Sequence, residues 1–266
     1  MKTALSIAGS DPCAGAGIQA DLKTFHAHGV YGLTAITAVT VQNTQKVAGV
    51  QEMRPEIVRD QVLCLFEDIA IQAVKVGMVF NVSIIEAIAQ AFEAAQPDNV
   101  VIDPVMISKS GCSLLLPEAQ KALIDTLLPW ASVLTPNLME AGAILGKDIQ
   151  GVQKMKEAAR EICDLGPGGV VVKGGHLDRD RATDVFFDGR DIHELPGTFT
   201  QTRNTHGTGC TFSSAIASNL ALGKPLFGAV QQAKTYISGA IAHGLDIGKG
   251  HGPTHHFYAM KMETPS

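Results

Sequence analysis

The 266-residue sequence lacks the features that define several classes of protein. No apolar run approaches the ~20 residues that a membrane-spanning helix needs, so no membrane segment is expected. Basic residues are not in excess, since 21 Lys and Arg face 26 Asp and Glu for a formal net charge of −5. Binding to nucleic acid through a basic surface is therefore not expected either. With 45% hydrophobic and 18% charged residues, the chain has the composition of a folded globular protein.

Metal-binding and disulfide patterns are also missing. Five widely spaced cysteines without a C-x-x-C pair predict neither a disulfide framework nor a thiolate zinc site: Cys13, Cys64, Cys112, Cys163 and Cys210. The nine histidines form no H-E-x-x-H pattern, so no transition-metal site is predicted. The short apolar N-terminal stretch runs into Asp11 without the cleavage pattern of a signal peptide. We expect a cytoplasmic protein with reduced thiols.

Apolar runs alternate with amphipathic stretches along the chain. Strands are predicted at residues 3–8, 33–41, 73–77, 100–103, 132–135 and 169–173, with a hairpin at 184–187 and 190–194. Helices are predicted at residues 15–28, 55–68, 82–95, 117–127, 137–145, 152–165, 208–222 and 225–243. Continuously apolar strands are typical of a parallel sheet covered on both faces. We predict one α/β domain over residues 1–266, with helices on both sides of a mostly parallel sheet and an antiparallel edge. Residues 42–54 and 106–116 are candidate flaps.

The segment N-T-H-G-T-G-C, residues 204–210, lies between a strand and an apolar helix. Gly207 and Gly209 allow close approach of a ligand to the backbone. The unpaired amides and the dipole of the following helix would then bind an anion, most naturally phosphate. Cys210 in the first turn is expected to have a lowered pKa. A glycine-rich turn beside a buried cysteine is the alternative interpretation.

The N-terminal segment G-A-G-I-Q-A, residues 15–20, matches G-x-G-x-x-A. Its glycines begin seven residues after Ala8, and the second strand ends without an acid to hold a ribose, so a dinucleotide-binding turn is disfavoured. Asp21 follows beside the apolar stripe and needs a buried partner, which a nearby backbone group could also supply. Gln42, at the end of the second strand, offers the donors and acceptor that suit an aminopyrimidine edge, although it could equally be a loop residue.

Polar residues also follow later strands. Asp103 ends one strand, and Asn137 and Glu140 follow the next, where they could bind Mg²⁺ largely through water. The spacing of Asn137 and Glu140 equally fits a helix capping box. Lys173 follows a further strand and could contact nucleotide phosphate.

With these residues assembled, the chain resembles the hydroxymethylpyrimidine/phosphomethylpyrimidine kinases of thiamin biosynthesis, in the ribokinase-like superfamily. The resemblance runs nearly end to end through A-G-S-D, G-A-G-I-Q-A-D-L-K-T-F, D-P-V-M, T-P-N-L-x-E-A, K-G-G-H and N-T-H-G-T-G-C-T. It implies a ribokinase-like fold and ATP-dependent phosphorylation of 4-amino-5-hydroxymethyl-2-methylpyrimidine, then of its monophosphate to the diphosphate. It also implies a homodimer.

The resemblance assigns roles to individual residues. It implies a pyrimidine pocket made of Gly9, Ala16, Asp21, Thr40, Gln42, Met78 and Val105. It places Asp103, Asn137, Glu140, Lys173 and Thr208 on the Mg-ATP side, with Mg²⁺ held by Asp103 and Glu140 through water. Gly207 and Gly209 would form the anion hole. We expect Cys210 to accept the proton of the substrate hydroxyl, and Asp21 and Gln42 to share the aminopyrimidine edge.

Three other functions stay open. A pyridoxine or pyridoxal kinase, or an enzyme with both activities, would share the scaffold and the thiol, but Gln42 favours a ring that carries an amine. An NAD(P)-dependent oxidoreductase would rest on the disfavoured glycine segment. A non-catalytic phosphate-binding module would not need a thiol, a carboxylate pair and a lysine together.

Overall fold

A mostly parallel sheet forms the centre of the molecule, which a computed structural model describes for residues 1–106, 115–175 and 182–260. Within these residues the strands are β1 (Thr3–Ser10), β2 (Tyr31–Gln42), β3 (Val47–Glu52), β4 (Ala73–Val76), β5 (Val100–Ile102), β6 (Val133–Leu134), β7 (Val170–Val172), β8 (Asp184–Phe187) and β9 (Ile192–Leu195). Their order is β3-β2-β1-β4-β5-β6-β7-β8-β9. Strands β2 to β7 in this order pair parallel, while β3 at one edge and β8 and β9 at the other pair antiparallel.

Helices cover both faces of the sheet. They are α1 (Gly17–Ala27), α2 (Pro55–Asp68), α3 (Val82–Ala95), α4 (Pro117–Ala122), α5 (Leu138–Leu145), α6 (Gly151–Cys163), α7 (Thr208–Ala221) and α8 (Leu226–Ala242). Successive strand residues point to opposite faces, so Leu5 of β1 joins the core under α2 and α3, whereas Ala4 joins the core under α1, α7 and α8. The predicted three-layer α/β/α fold is therefore confirmed. None of the helices formed by the described residues has the length and apolar character needed to span a membrane.

Three predicted segments differ from the structure. The candidate flap at 42–54 contains the edge strand β3, while most of the second candidate flap, residues 107–114, lies outside the described residues. The predicted helix at 117–127 is α-helical only to Ala122 and continues as a π turn. The hairpin turn is longer than predicted because the Asp188 carboxylate accepts the backbone N–H groups of Arg190 and Asp191 at 2.9 and 2.7 Å.

The strand order fixes where a ligand can bind. After β1 the chain enters α1 on one face of the sheet, and after β4 it enters α3 on the other face. Because β1 and β4 are neighbours, the two connections leave a crevice between them at the carboxyl ends of the strands. Residues after β1, β4, β5 and β7 therefore surround one location.

Candidate active site

The start of α7 is locked against the loop that follows β1. Gly207 is the N-cap of α7 and has a left-handed backbone with φ of +75°. A Cβ atom at Gly207 would lie 1.7 Å from the carbonyl oxygen of Gly15. The first-turn amides of α7 have no partner within the helix, so this contact fixes the direction in which they point. Helix α1 begins at Gly17, two residues later than predicted. The reason is that the Asp11 carboxylate accepts the N–H groups of Gly15 and Ala16, at 3.1 and 2.9 Å, and holds these residues in the loop.

Gly207→Ala should destabilise the protein more than a left-handed backbone alone explains. Gly223 is the matched control, since it has φ of +82° and no atom within 4 Å of an added Cβ. Gly223→Ala should cost about 1 kcal/mol for the backbone conformation. Gly207→Ala should cost ~1–3 kcal/mol more, because its methyl group enters filled space. Urea unfolding of both variants measures the difference, and equal losses would contradict the contact.

Asp103 and Lys173 meet beside the first turn of α7. Lys173 Nζ donates to Asp103 Oδ1 at 2.9 Å, and the Thr135 hydroxyl donates to the same oxygen at 3.3 Å. A Cβ atom at Gly209 would lie 3.0 Å from Asp103 Oδ2 and 3.5 Å from Lys173 Nζ. Burial lowers the pKa of Lys173, but the charges of Asp103 and Glu140 more than offset this and leave that pKa raised. A carboxylate, an ammonium group and helix amides are thus assembled in one place, as the sequence predicts.

Glu140 belongs to this cluster and also caps α5. Its carboxylate accepts the backbone N–H of Asn137 at 2.8 Å, and the Asn137 side chain accepts the N–H of Glu140 at 2.9 Å, which is a capping box. Burial and the nearby Asp103 carboxylate raise the pKa of Glu140 to about 7, against the opposing charge of Lys173. The capping interpretation of this pair is confirmed. Asn137 and Glu140 also lie near the carboxyl end of β7. The segment before them is held there because the N–H of Lys173 donates to the Pro136 carbonyl at 2.8 Å.

The Cys210 thiol differs from its predicted state. We expected the start of α7 to lower its pKa, but burial raises the pKa of Cys210 to about 11. The negative charges of Asp21 and Asp103 add to the increase, while Lys75 and a hydrogen bond from the Gly17 backbone oppose it. The expectation is wrong because removing a thiolate from water outweighs the helix terminus. Cys210 is a neutral thiol at neutral pH.

A fully buried ion pair lies behind Cys210. Lys75 in β4 donates to Asp21 Oδ2 at 2.8 Å, and both side chains are 0% exposed. The hydroxyl of Ser6 donates to Oδ2 and that of Ser214 to Oδ1, each at 2.6 Å. These donors come from β1, β4 and α7, so the pair joins three elements of the site. The buried partner predicted for Asp21 is therefore a lysine and two hydroxyl groups, not a backbone group.

Lys75 was not predicted as a site residue. The signal is visible in the sequence as a single charge inside the continuously apolar strand Ala73–Val76. A lysine in such a position needs a buried carboxylate, and Asp21 beside the apolar stripe of α1 needs a buried cation. Neither residue alone identifies the other, because they are 54 positions apart.

Most residues expected in a pyrimidine pocket lie at or beyond the carboxyl ends of the neighbouring strands β2, β1, β4 and β5. An added Cβ at Gly9 would lie 2.5 Å from Met78 Cε, so these two residues touch. The Thr40 hydroxyl donates to the Ser10 carbonyl at 2.9 Å, and Gln42 Nε2 lies 3.5 Å from His206 Nε2. Two further members of the set are half-buried, at Ala16, the N-cap of α1, and at Val105 beyond β5.

Asp21 stands apart from this set. Its carboxylate is enclosed and already accepts the three bonds described above, so it exposes no oxygen to a ligand. The Thr208 hydroxyl likewise donates within the protein, to the Thr205 carbonyl at 2.7 Å, although Thr208 remains half-buried at the start of α7.

Comparison with known proteins identifies the family. The family model of phosphomethylpyrimidine kinase matches residues 11–255. The chain belongs to the phosphomethylpyrimidine kinase family. It is 51% identical over 258 residues to the hydroxymethylpyrimidine/phosphomethylpyrimidine kinase of Rhizobium meliloti (strain 1021), covering 96% of this chain and 97% of that protein.

Solved structures agree with this membership of the phosphomethylpyrimidine kinase family. A crystal structure of phosphomethylpyrimidine kinase from Clostridium difficile 630 is 46% identical with a TM-score of 0.82, covering 91% of this chain and 100% of that one. An ADP complex of Bacillus subtilis pyridoxal kinase is 40% identical with a TM-score of 0.90, covering 97% of this chain and 98% of that one. The predicted resemblance and ribokinase-like fold are confirmed, and pyridoxal kinases share the scaffold, as expected.

Proposed function

We propose that the protein transfers the γ-phosphoryl group of ATP to the hydroxymethyl group of 4-amino-5-hydroxymethyl-2-methylpyrimidine, and then phosphorylates the monophosphate to the diphosphate, for thiamin biosynthesis. Family membership over residues 11–255 supports the reaction class. The observation that carries the proposal is the meeting of the α7 N-terminus with Asp103 and Lys173 beside Gly209. Such an arrangement neutralises and positions phosphate charge, which is most of what phosphoryl transfer requires.

On the ATP side, the backbone amides at Gly207 and Gly209 donate to the oxygens of the transferred phosphoryl group. Lys173 adds a point charge at the same place. The substrate hydroxyl oxygen forms a bond to the γ-phosphorus while the bond from that phosphorus to the bridging oxygen of ADP breaks. The pyrimidine lies in the crevice between β1 and β4, so its hydroxymethyl group points toward the start of α7.

The acidic residues fit a magnesium ion. Asp103 and Glu140 offer the oxygen ligands that Mg²⁺ prefers. Burial and the nearby Asp103 carboxylate raise the pKa of Glu140, and a cation bound beside Glu140 would favour its ionised form. The Glu140 carboxylate already caps α5, and the Asp103 carboxylate already accepts a hydrogen bond from Lys173. Both carboxylates would therefore contact the ion through water molecules. When bound, Mg²⁺ neutralises charge on the phosphate oxygens. Asn137 orients Glu140 through the capping box.

The hydroxyl proton goes to Cys210 in our proposal, with the thiolate as the accepting form. Only a small fraction of the thiol is ionised at neutral pH, since its pKa is about 11. Lys75 is the cation that opposes this increase, and Asp21 holds Lys75 in place. We therefore reassign Asp21 from pairing with the pyrimidine to positioning Lys75. The second transfer needs no proton acceptor, because the attacking phosphate oxygen is already ionised.

Gln42→Met should raise the KM for the pyrimidine by about 10-fold, which corresponds to the ~1.4 kcal/mol of one lost hydrogen bond. The physical reason is that a pyrimidine amine or ring nitrogen loses its partner when it enters the pocket. The kcat should change less, since we place Gln42 in the pyrimidine pocket and not on the ATP side. Gln45→Met is the control, because Gln45 is exposed three residues further along. An unaltered KM in the Gln42 variant would remove Gln42 from the pocket.

Phosphorylation of pyridoxine or pyridoxal is the second candidate function. The observation that favours it is the TM-score of 0.90 with the pyridoxal kinase of Bacillus subtilis. ³¹P NMR of the protein with Mg-ATP and each alcohol separates the two. We expect a monophosphate and then a diphosphate signal from the pyrimidine. A monophosphate from pyridoxine alone would favour the second function, and no product from either would contradict both.

The protein is further proposed to be a cytoplasmic homodimer. The edge strand β3 and the end of β2 expose four valines, which a second sheet edge could cover: Val39, Val41, Val47 and Val50. The four cysteines within the described residues are free, which suits a reducing compartment. Light scattering should give twice the chain mass of 28.0 kDa.

A further inference from the structure

The loop after β1 and the segment before α7 bring an aspartate, a cysteine and a histidine together. Asp11 Oδ2 lies 2.8 Å from His206 Nε2, and Asp11 Oδ1 lies 3.0 Å from Cys13 Sγ. Cys13 Sγ is 3.6 Å from His206 Nε2. The three candidate ligand atoms all lie within 4.8 Å of one another. We propose that Asp11, Cys13 and His206 form a binding site for a zinc-like divalent cation, separate from the Asp103 and Glu140 cluster.

The spacing suits zinc. Zn–S bonds of ~2.3 Å and Zn–N bonds of ~2.0–2.1 Å in a tetrahedron put sulfur and nitrogen about 3.5 Å apart. The observed separation between Cys13 Sγ and His206 Nε2 is 3.6 Å. The nitrogen and carboxylate oxygen, at 2.8 Å, need to separate by only about 0.6 Å to reach the corresponding tetrahedral distance. Three protein ligands leave the fourth position for water or another small ligand.

The protein holds the three ligands in place before a cation arrives. The backbone N–H groups of Cys13, Gly15 and Ala16 donate to the Asp11 carboxylate at 3.0, 3.1 and 2.9 Å. The His206 ring lies against Gly15, where an added Cβ would be 2.1 Å from its Cδ2. Outer contacts of this kind orient metal ligands and increase affinity.

The donor set also determines which cation binds. Thiolate and imidazole ligands favour zinc or copper over Mg²⁺, which prefers oxygen. On binding, the Cys13 sulfur gives its proton to solvent and forms the metal bond, and the His206 proton resides on Nδ1 so that Nε2 can bind. The charges of Asp11 and the thiolate then neutralise the cation. A cavity of about 120 Å³ adjoins the cluster and is lined by Cys13, Lys23 and residues 253–257 among others.

The sequence hides this site because Cys13 and His206 are 193 positions apart and neither belongs to a known metal-binding spacing. The site also adjoins Gln42, whose Nε2 lies 3.5 Å from His206 Nε2. Since we place Gln42 in the pyrimidine pocket, zinc that binds Nε2 of His206 and moves this atom away from its position beside Gln42 should also weaken pyrimidine binding. This consequence rests on the proposed function, whereas zinc binding itself does not.

Competition between the protein and a colorimetric zinc indicator, without nucleotide, tests the proposal. Cys13→Ser should weaken Zn²⁺ binding by at least about 10-fold, the smaller loss usual for even an outer-shell contact. Cys64→Ser, at an exposed cysteine of α2, is the matched control and should bind as the unmodified protein does. Co²⁺ in place of Zn²⁺ should give a sulfur-to-cobalt charge-transfer band that Cys13→Ser removes.

Three results would overturn the proposal. Equal zinc affinity in the Cys13 variant and the unmodified protein would mean adventitious binding at other histidines. A loss confined to the Cys64 variant would place the cation on α2, and a Co²⁺ complex without the charge-transfer band would exclude sulfur as a ligand. Each readout is independent of phosphorylation, so failure of the proposed function leaves these outcomes interpretable.

Discussion

Lys75→Met is expected to lower the free energy of unfolding by about 3–5 kcal/mol, the usual cost of removing one partner from a buried ion pair. The reason is that Asp21 would keep a negative charge at a position with 0% exposure. The remaining donors to its carboxylate, the hydroxyls of Ser6 and Ser214, are neutral and cannot replace the ammonium charge. Urea unfolding followed by circular dichroism measures the loss.

The double variant Lys75→Met with Asp21→Asn separates charge from packing. Replacing both members of a buried pair is often neutral or stabilising, so the double variant should regain most of the stability lost in Lys75→Met. If the two losses instead add, the pair contributes through shape and not through charge. A change below about 1 kcal/mol in Lys75→Met would contradict the buried pair itself, since that is the size of an exposed ion pair.

Cys210→Ala should reduce kcat for the first phosphoryl transfer by about 10²–10⁴-fold, the range usual for loss of a proton acceptor. The second transfer should lose much less, because its nucleophile carries no proton. Measuring both transfers on one preparation makes each the internal control of the other. Cys64→Ala, on the exposed side of α2, controls for the loss of any thiol. An unchanged first transfer would remove Cys210 from the mechanism.

The pKa of Cys210 predicts that the rate of the first phosphoryl transfer increases with pH. The thiolate is the active form and its pKa is about 11, so raising the pH increases the active fraction. The kcat/KM of the first transfer should therefore rise about 10-fold per pH unit between neutral pH and 10, since this parameter reports the free enzyme. The second transfer should lack this rise. Equal profiles for the two transfers would contradict Cys210 as the proton acceptor.

Much of the fold follows from local patterns in the sequence. The helices α2 and α3 begin and end at the predicted residues, because Pro55 and the Asn81 cap mark their starts and apolar stripes define their lengths. Strand β3 was not predicted, because it has no such local pattern. It lies at the sheet edge and is largely exposed, so its sequence V-A-G-V-Q-E carries no apolar run. Its pairing with β2 depends on tertiary position.

The sequence predicts which site residues follow the ends of strands. It does not predict the properties of the site that depend on how deeply a side chain is buried. Asp103 and Lys173 meet because the parallel strands β5 and β7, which they follow, have their carboxyl ends at the same edge of the sheet. The pKa of Cys210 could not be predicted, since the desolvation that raises it comes from elements distant in sequence. The partnership of Lys75 with Asp21 has the same origin.

The contact between Gly15 and Gly207 has a consequence for how the protein is made. The two residues are 192 positions apart, yet the carbonyl of one leaves no room for a side chain on the other. Nearly four fifths of the chain must therefore leave the ribosome before Gly15 and Gly207 can come into contact. Until then the loop after β1 lacks this contact, and a nascent chain stalled before residue 207 lacks the phosphate site that we propose at the start of α7.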